Sequence, residues 1–188
     1  MFVRQPELEF DLNIYIACGL THVPRDEFSS YVELIEGLAE RLARRGASEV
    51  KYALRHSDPQ LAEKPFADQA RLCYLWDKEM VEWADVVVAE ASYPSTGLGI
   101  ELQIASARAT PIVLAFKLDE KNRAKPVQYK TPDQHIHHLQ LGQGYVSLMA
   151  LGLPSLFKVL PYQDAEGAIS AVADAVLTLA LPAEDSEM

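Results

Sequence analysis

Ser95-Thr96-Gly97-Leu98-Gly99-Ile100-Glu101 joins an apolar run to a helix-forming stretch, and its residue types suit an anion held beside a carboxylate. The two glycines let the backbone turn tightly and approach a ligand, while the start of a helix leaves N–H groups unpaired. Gly97-x-Gly99 alone specifies little. It lacks the third glycine of a dinucleotide fingerprint and the Gly-Lys-Ser/Thr of a P-loop. Glu101 is the sharper feature. With the helix running from Ile100 to Ala109, it falls in the first turn, where the dipole and free amides favour the ionised carboxylate. It shares a face with Ile104 and Ala105 and so should point inward. An inward, ionised carboxylate can act as a nucleophile. The competing reading is a first-turn glutamate that merely stabilises its helix.

Other candidate groups are fewer. On a helix from about Ala67 to Trp83, the residues Leu72, Leu75, Trp76, Met80 and Trp83 form one stripe. Asp77 lies at its border beside Cys73 and Met80, and Glu79 falls nearer its centre, so periodicity favours Glu79 as the inward carboxylate. Trp76 and Trp83 read as core. Asp85, at the mouth of the next strand, reads as a turn or cap residue. His135, His137 and His138 cluster in a polar loop, with only Asp133 near enough to add a ligand, and read as solvated histidines rather than a zinc site. Cys18 and Cys73 sit in apolar stretches, far apart and outside any CxxC pair, and read as small buried side chains in a reducing cytoplasm.

These groups need a scaffold. Leu12 to Cys18 (LNIYIAC) is a short apolar run ending at Gly19 and reads as a buried strand. Pro24 suits the first turn of a helix whose apolar positions are Tyr31, Leu34, Ile35, Leu38 and Leu42, and Gly46 stops it. Val50 to Leu54 reads as a second strand and His56 to Pro65 as a loop. Asp85 to Ala91 (DVVVAEA) is continuously apolar, as a strand buried on both faces of a parallel sheet would be. Pro94 to Gly99 is a tight loop, and Pro111 to Phe116 a further strand. Residues 117 to 144 are polar and without period, the mark of a lid, a binding loop or a disordered excursion. Tyr145 to Leu151 reads as a short helix, Leu156 to Leu160 as a fifth strand and Ala165 to Leu181 as the closing helix. Pro182 to Met188 is an acidic tail. Strand and helix alternate, which predicts one α/β domain over residues 1–188, Rossmann-like (flavodoxin-like), with a five-stranded parallel sheet flanked by helices. Ligands bind such sheets beyond the carboxyl ends of the strands, next to Cys18 and Ala91.

Bulk properties narrow the partners. At 188 residues, 49% hydrophobic and 23% charged, the chain fits one globular domain. A net charge of −10 argues against a nucleic-acid polymer or an anionic membrane as partner. Met1 to Asp11 has no apolar core of the signal-peptide kind, and no apolar stretch is long enough to span a bilayer, so a cytoplasmic protein is expected.

The combination Ala84-Asp85-Val86-Val87-Val88-Ala89-Glu90, then Pro94-Ser95-Thr96-Gly97-Leu98-Gly99-Ile100-Glu101-Leu102, resembles the nucleoside 2-deoxyribosyltransferase superfamily. Within it the chain is most similar to the deoxynucleoside 5′-monophosphate N-glycosidase branch. The similarity reaches back to Tyr15-Ile16-Ala17-Cys18-Gly19 and forward to Ser147-Leu148-Met149. The resemblance implies that Glu101 attacks C1′ to form a glycosyl-enzyme, that Asp77 assists departure of the base, and that Tyr15 orients the nucleophile. Tyr15 also reads as an ordinary strand tyrosine. The resemblance selects Asp77 where periodicity selects Glu79. Ser95 and Ser147 match the monophosphate branch; the transferase branch typically carries aspartate and asparagine there. Serine hydroxyls and helix N-terminal amides can hold a phosphate that an aspartate would repel. Gly19, Gly97 and Gly99 complete the implied substrate cradle. Ser147 in the family reaches a neighbouring subunit, implying a homodimer or higher homo-oligomer. After Gly19 the chain departs from that branch, which usually has a serine and then an arginine. Here stand Leu20-Thr21-His22 and Arg25, with Thr21, His22 and Arg25 as the remaining phosphate candidates. No cofactor or metal is implied. The expectation is an N-glycosidic hydrolase or transferase acting on a nucleoside 5′-monophosphate. Base exchange between free nucleosides and a non-catalytic nucleotide-binding module are the alternatives.

Overall fold

Two β-strands carry the chemistry-bearing loops, and their alternation decides which side chains meet. The structure, a computed structural model, describes residues 12–180. The segment before Leu12, Leu181 of the expected closing helix and the tail Pro182 to Met188 lie outside the described residues. In chain order the elements begin with β1 (Asn13–Cys18), α1 (Phe28–Arg44), β2 (Glu49–Tyr52), α2 (Ala53–His56), α3 (Asp58–Leu61), α4 (Phe66–Trp83) and β3 (Val86–Glu90). They continue with α5 (Thr96–Ala107), β4 (Ile112–Lys117), β5 (Gln128–Lys130), β6 (Ile136–His138), α6 (Leu148–Leu151), β7 (Leu156–Tyr162) and α7 (Ala165–Ala180).

The main sheet is five-stranded and wholly parallel, in the order β2-β1-β3-β4-β7. This is a flavodoxin-like α/β arrangement. The chain moves outward from β1 to β2 and then back across to β3, so the strand order reverses between β1 and β3. That reversal is where such sheets open a crevice at their carboxyl edge. The register sets Tyr15 opposite Val87 and Cys18 opposite Glu90. Successive side chains of a strand point to opposite faces. Ile14, Ile16, Val86 and Val88 therefore pack with α1 and α7, whereas Tyr15, Ala17, Val87 and Ala89 pack with α4 and α5. Both layers are built of buried apolar side chains, and each fully buried aliphatic one contributes about 1.5–3 kcal/mol.

Several expectations shift. Pro24 precedes α1 rather than opening it; Glu27 N–H donates to Pro24 O in a turn, and the helix starts at Phe28. The second strand stops at Tyr52. The segment expected as a loop from His56 onward holds the single-turn helices α2 and α3, with a proline in the first turn of α3. Gly46 takes φ 104°, open to glycine without penalty, and ends the α1 excursion as expected. The polar stretch 117–144 is not featureless. Its β5 and β6 form an antiparallel hairpin that pairs Tyr129 with His137.

Two corrections bear directly on the site. On α4 only Met80 of the expected stripe Leu72, Leu75, Trp76, Met80, Trp83 is buried, joined by Val81, while Asp77 comes within electrostatic reach of Tyr15 and Glu101. Met80 and Val81 are buried, while Leu75 is 42% exposed. Trp76 and Trp83 are only half-buried; Trp83 still packs against the core, with Lys51 Nζ 3.8 Å above its ring. Glu79 is exposed, so the periodicity reading that favoured it fails. The other correction is at α5, which starts at Thr96 instead of Ile100.

Candidate active site

Ser95 explains the early start of α5. Its hydroxyl accepts the Leu98 N–H at 3.1 Å, capping the helix. The helix therefore starts ahead of Gly97 and Gly99, which lie in its first turn. Glu101 becomes the sixth helical residue. It sits a full turn beyond the free amides, out of reach of the dipole effect expected for it.

Its surroundings act in the opposite direction. Glu101 is 8% exposed, in the apolar layer between α5 and the sheet. Burial raises its pKa from 4.5 to about 7; the nearby Asp77 carboxyl adds to the rise, and the Tyr15 hydroxyl opposes it. Tyr15 Oη donates to Glu101 Oε1 at 2.6 Å, a short charge-assisted bond within a buried pair. Tyr15 is itself fully buried, and burial first, then the Glu101 charge, holds its own pKa well above the usual value. Tyr15 meets Glu101 because residue 15 has the odd parity in β1, facing the α4 and α5 layer.

Asp77 approaches from α4. Cys73 Sγ, one turn earlier, donates to Asp77 Oδ2 at 3.3 Å. Asp77 Oδ1 is buried without a hydrogen-bond partner among the described residues. The structure thus gathers Tyr15, Asp77 and Glu101 from three elements into one cluster.

Gly19 brings the loop after β1 against the loop after β3. A Cβ there would lie 2.8 Å from Ser95 Cβ, so any larger residue would push the loops apart. A Cβ at Gly97 would lie 3.7 Å from Ser95 Oγ, and one at Gly99 would meet nothing within 4 Å. Thr21 and His22 are exposed on the loop beyond Gly19. Ser147 caps α6, accepting from Ala150 N–H at 3.4 Å. A cavity of about 800 Å³ brings Ser95, Gly99 and Ser147 together with Arg123 of the polar stretch and Tyr145 just after it. Tyr15, Asp77 and Glu101 do not line it. The two serines and the carboxylate cluster therefore flank the start of α5 rather than sharing one chamber.

Sequence reasoning passed over Glu90. It ends β3 at 1% exposure, accepting from Ser92 Oγ and from Tyr162 Oη, the latter at 2.8 Å. Ser92 Oγ in turn accepts Lys117 N–H at 2.7 Å. Burial raises the Glu90 pKa. This network ties the ends of β3, β4 and β7 just before the Ser95 loop. A carboxylate closing an apolar strand was the available signal, since such a group is costly unless satisfied. Asp85 accepts Asn13 N–H at 2.8 Å, the turn role expected of it. His135 pairs with Asp133 at 3.6 Å on the exposed hairpin.

No family model and no curated protein matches the chain. Solved structures do. The CMP N-glycosidase BcmB of Clostridium botulinum is 17% identical, covering 85% of this chain and 97% of that one, with a TM-score of 0.52. A conserved protein from Enterococcus faecalis V583 is also 17% identical, covering 90% and 99%, with a TM-score of 0.55. A 2-deoxyribosyltransferase from Bacillus psychrosaccharolyticus is 23% identical over 55% of this chain and 72% of that one, with a TM-score of 0.44, an overlap too partial to bear on the fold. Among the described residues no helix is long and apolar enough to cross a membrane. In fold, and nearly throughout its described length, the chain is similar to the Clostridium botulinum CMP N-glycosidase.

Proposed function

We propose that this chain is a single-domain member of the nucleoside 2-deoxyribosyltransferase superfamily that cleaves or transfers the N-glycosidic bond of a nucleoside 5′-monophosphate. The observation that carries the reading is the buried Tyr15–Glu101 pair with a second carboxylate beside it. Burial makes the Glu101 carboxylate basic, and Tyr15 fixes Oε1, which leaves Oε2 to attack C1′. The C1′–N bond breaks as the C1′–O ester forms. Its electron pair leaves with the base, which takes a proton that Asp77 relays from solvent, and the water that later attacks C1′ gives its own proton back by the same route. Water or a second base then attacks C1′ and frees Glu101, the two-step logic of retaining glycosidases.

Ser95 and the first-turn amides of α5 are offered as the phosphate site, with Gly97 and Gly99 letting the group approach. A 5′-monophosphate should then be used at least tenfold better, in kcat/KM, than its free nucleoside. The test is a panel of nucleosides and monophosphates read by chromatography for free base. Equal or better use of free nucleosides would favour the base-exchange reading, and no base release from any of them the non-catalytic one.

We also infer a homodimer or higher homo-oligomer in which Ser147 of one chain serves Glu101 of its neighbour. It is supported by Leu148 and Met149 beside Ser147, 48% and 85% exposed. Mixing an inactive Glu101→Ala chain with an inactive Ser147→Ala chain should restore up to about a quarter of the activity, as random pairing leaves half the dimers with one intact site of two. No rescue, with subunit exchange proven, counts against a shared site.

A further inference from the structure

On the reading above, Asp77 must present one particular oxygen to the departing base, and the chain supplies a means of doing so. Asp77 and Cys73 lie on α4, one turn apart, where i and i+4 side chains meet. The Cys73 thiol donates to Oδ2 at 3.3 Å, and Oδ1 stays buried and unpaired among the described residues. A buried oxygen without a protein partner costs about 1–3 kcal/mol. A donor group of the substrate would satisfy it. The alternative inward carboxylate, Glu79, is exposed and cannot take the role.

We propose that Cys73 is a positioning residue: its thiol holds Oδ2 of Asp77 so that Oδ1 faces the base leaving C1′. The hydrogen bond removes the rotation about the carboxyl bond that would exchange the two oxygens. Partial burial, and then the Asp77 charge, push the thiol pKa up to about 11, so Cys73 keeps the proton it donates at neutral pH. Nothing is transferred from sulfur in this role. The proton that reaches the base comes from solvent and is relayed by Asp77, and the sulfur remains a thiol throughout.

The inference rests on the glycosidic reading, and the test separates the two. The best substrate of the panel is compared with an analogue whose base leaves without help, N7-methylated for a purine or 5-nitro-substituted for a pyrimidine. Cys73→Ala should lower kcat on the ordinary substrate about tenfold, with KM within twofold, and lower kcat on the activated analogue less than twofold. Cys73→Ser keeps a donor at that position and should regain at least half of the wild-type kcat. Equal loss on both substrates would mean that Cys73 only packs the helix, and no loss on either would mean that Asp77 needs no holding. Both results overturn the inference alone. A wild-type chain that releases no base from either form overturns the functional reading, and this inference with it.

Discussion

Glu101→Gln is expected to lower release of free base by at least a thousandfold while the chain stays folded. The substitution is nearly isosteric, and the amide oxygen can still accept from Tyr15 Oη, so the 2.6 Å contact has a neutral counterpart. What disappears is the anion that attacks C1′. A thousandfold loss corresponds to about 4 kcal/mol of barrier, at about 1.4 kcal/mol per decade, and a missing covalent nucleophile readily exceeds that. Chromatography of free base under single-turnover conditions measures it, with circular dichroism as the control for fold. Retention of more than a tenth of wild-type turnover would sink the nucleophile role. The wild-type pH profile provides a second check with a defined sign. Only ionised Glu101 can attack, and its pKa is raised to about 7. kcat/KM should therefore rise with pH through neutrality, well above the range of an ordinary carboxylate. A profile already flat from pH 5 would mean that the group carrying the reaction is solvated.

The strands were legible because their physics is local. Continuous apolar character in Val86 to Ala89 can only be buried on both faces, and the alternation in β1 assigns Tyr15 to the layer opposite Ile14 and Ile16. The helix boundaries were harder. Gly97 and Gly99 read as breakers, yet a single Ser95 hydroxyl caps the helix ahead of them. That shift of four residues carried Glu101 away from the helix end and reversed the expected cause of its charge state. On α4 the two tryptophans dominate any wheel, although large amphipathic rings tolerate a half-buried border. Met80 and Val81 mark the buried face, which is set by packing against α5 rather than by hydrophobicity along α4. The hairpin of β5 and β6 has three residues per strand, too few to show a period, and its strands are exposed on both sides. Glu90 escaped notice for the opposite reason. Its partners Ser92 and Tyr162 are joined to it only by the fold, Tyr162 from 72 residues away.

Burial of Glu101 has a thermodynamic signature that does not depend on the substrate. The folded pKa of about 7 lies above the ordinary 4.5, so the folded chain holds this proton more tightly than the unfolded chain does. The stability conferred by the protonated group is fully present below about pH 4.5 and is lost as pH rises through about 7. At about 1.4 kcal/mol per unit, the ionised carboxylate costs about 3 kcal/mol at pH 8. Glu101→Gln has no proton to lose and escapes that cost. At pH 8 the variant should melt at least about 5 °C above the wild type, using about 2–4 °C per kcal/mol for a chain of this size and allowing for imperfect amide packing. At pH 4 the two melting temperatures should agree within about 2 °C, because both side chains are then neutral. Differential scanning calorimetry at the two pH values reads the difference directly. A variant less stable than the wild type at pH 8 would show that the ionised carboxylate is well satisfied in the folded chain, and a gap independent of pH would show that it is open to solvent. The expected pattern is a residue that weakens the fold in the ionised state its chemistry requires, as strained and destabilised groups at active sites commonly do.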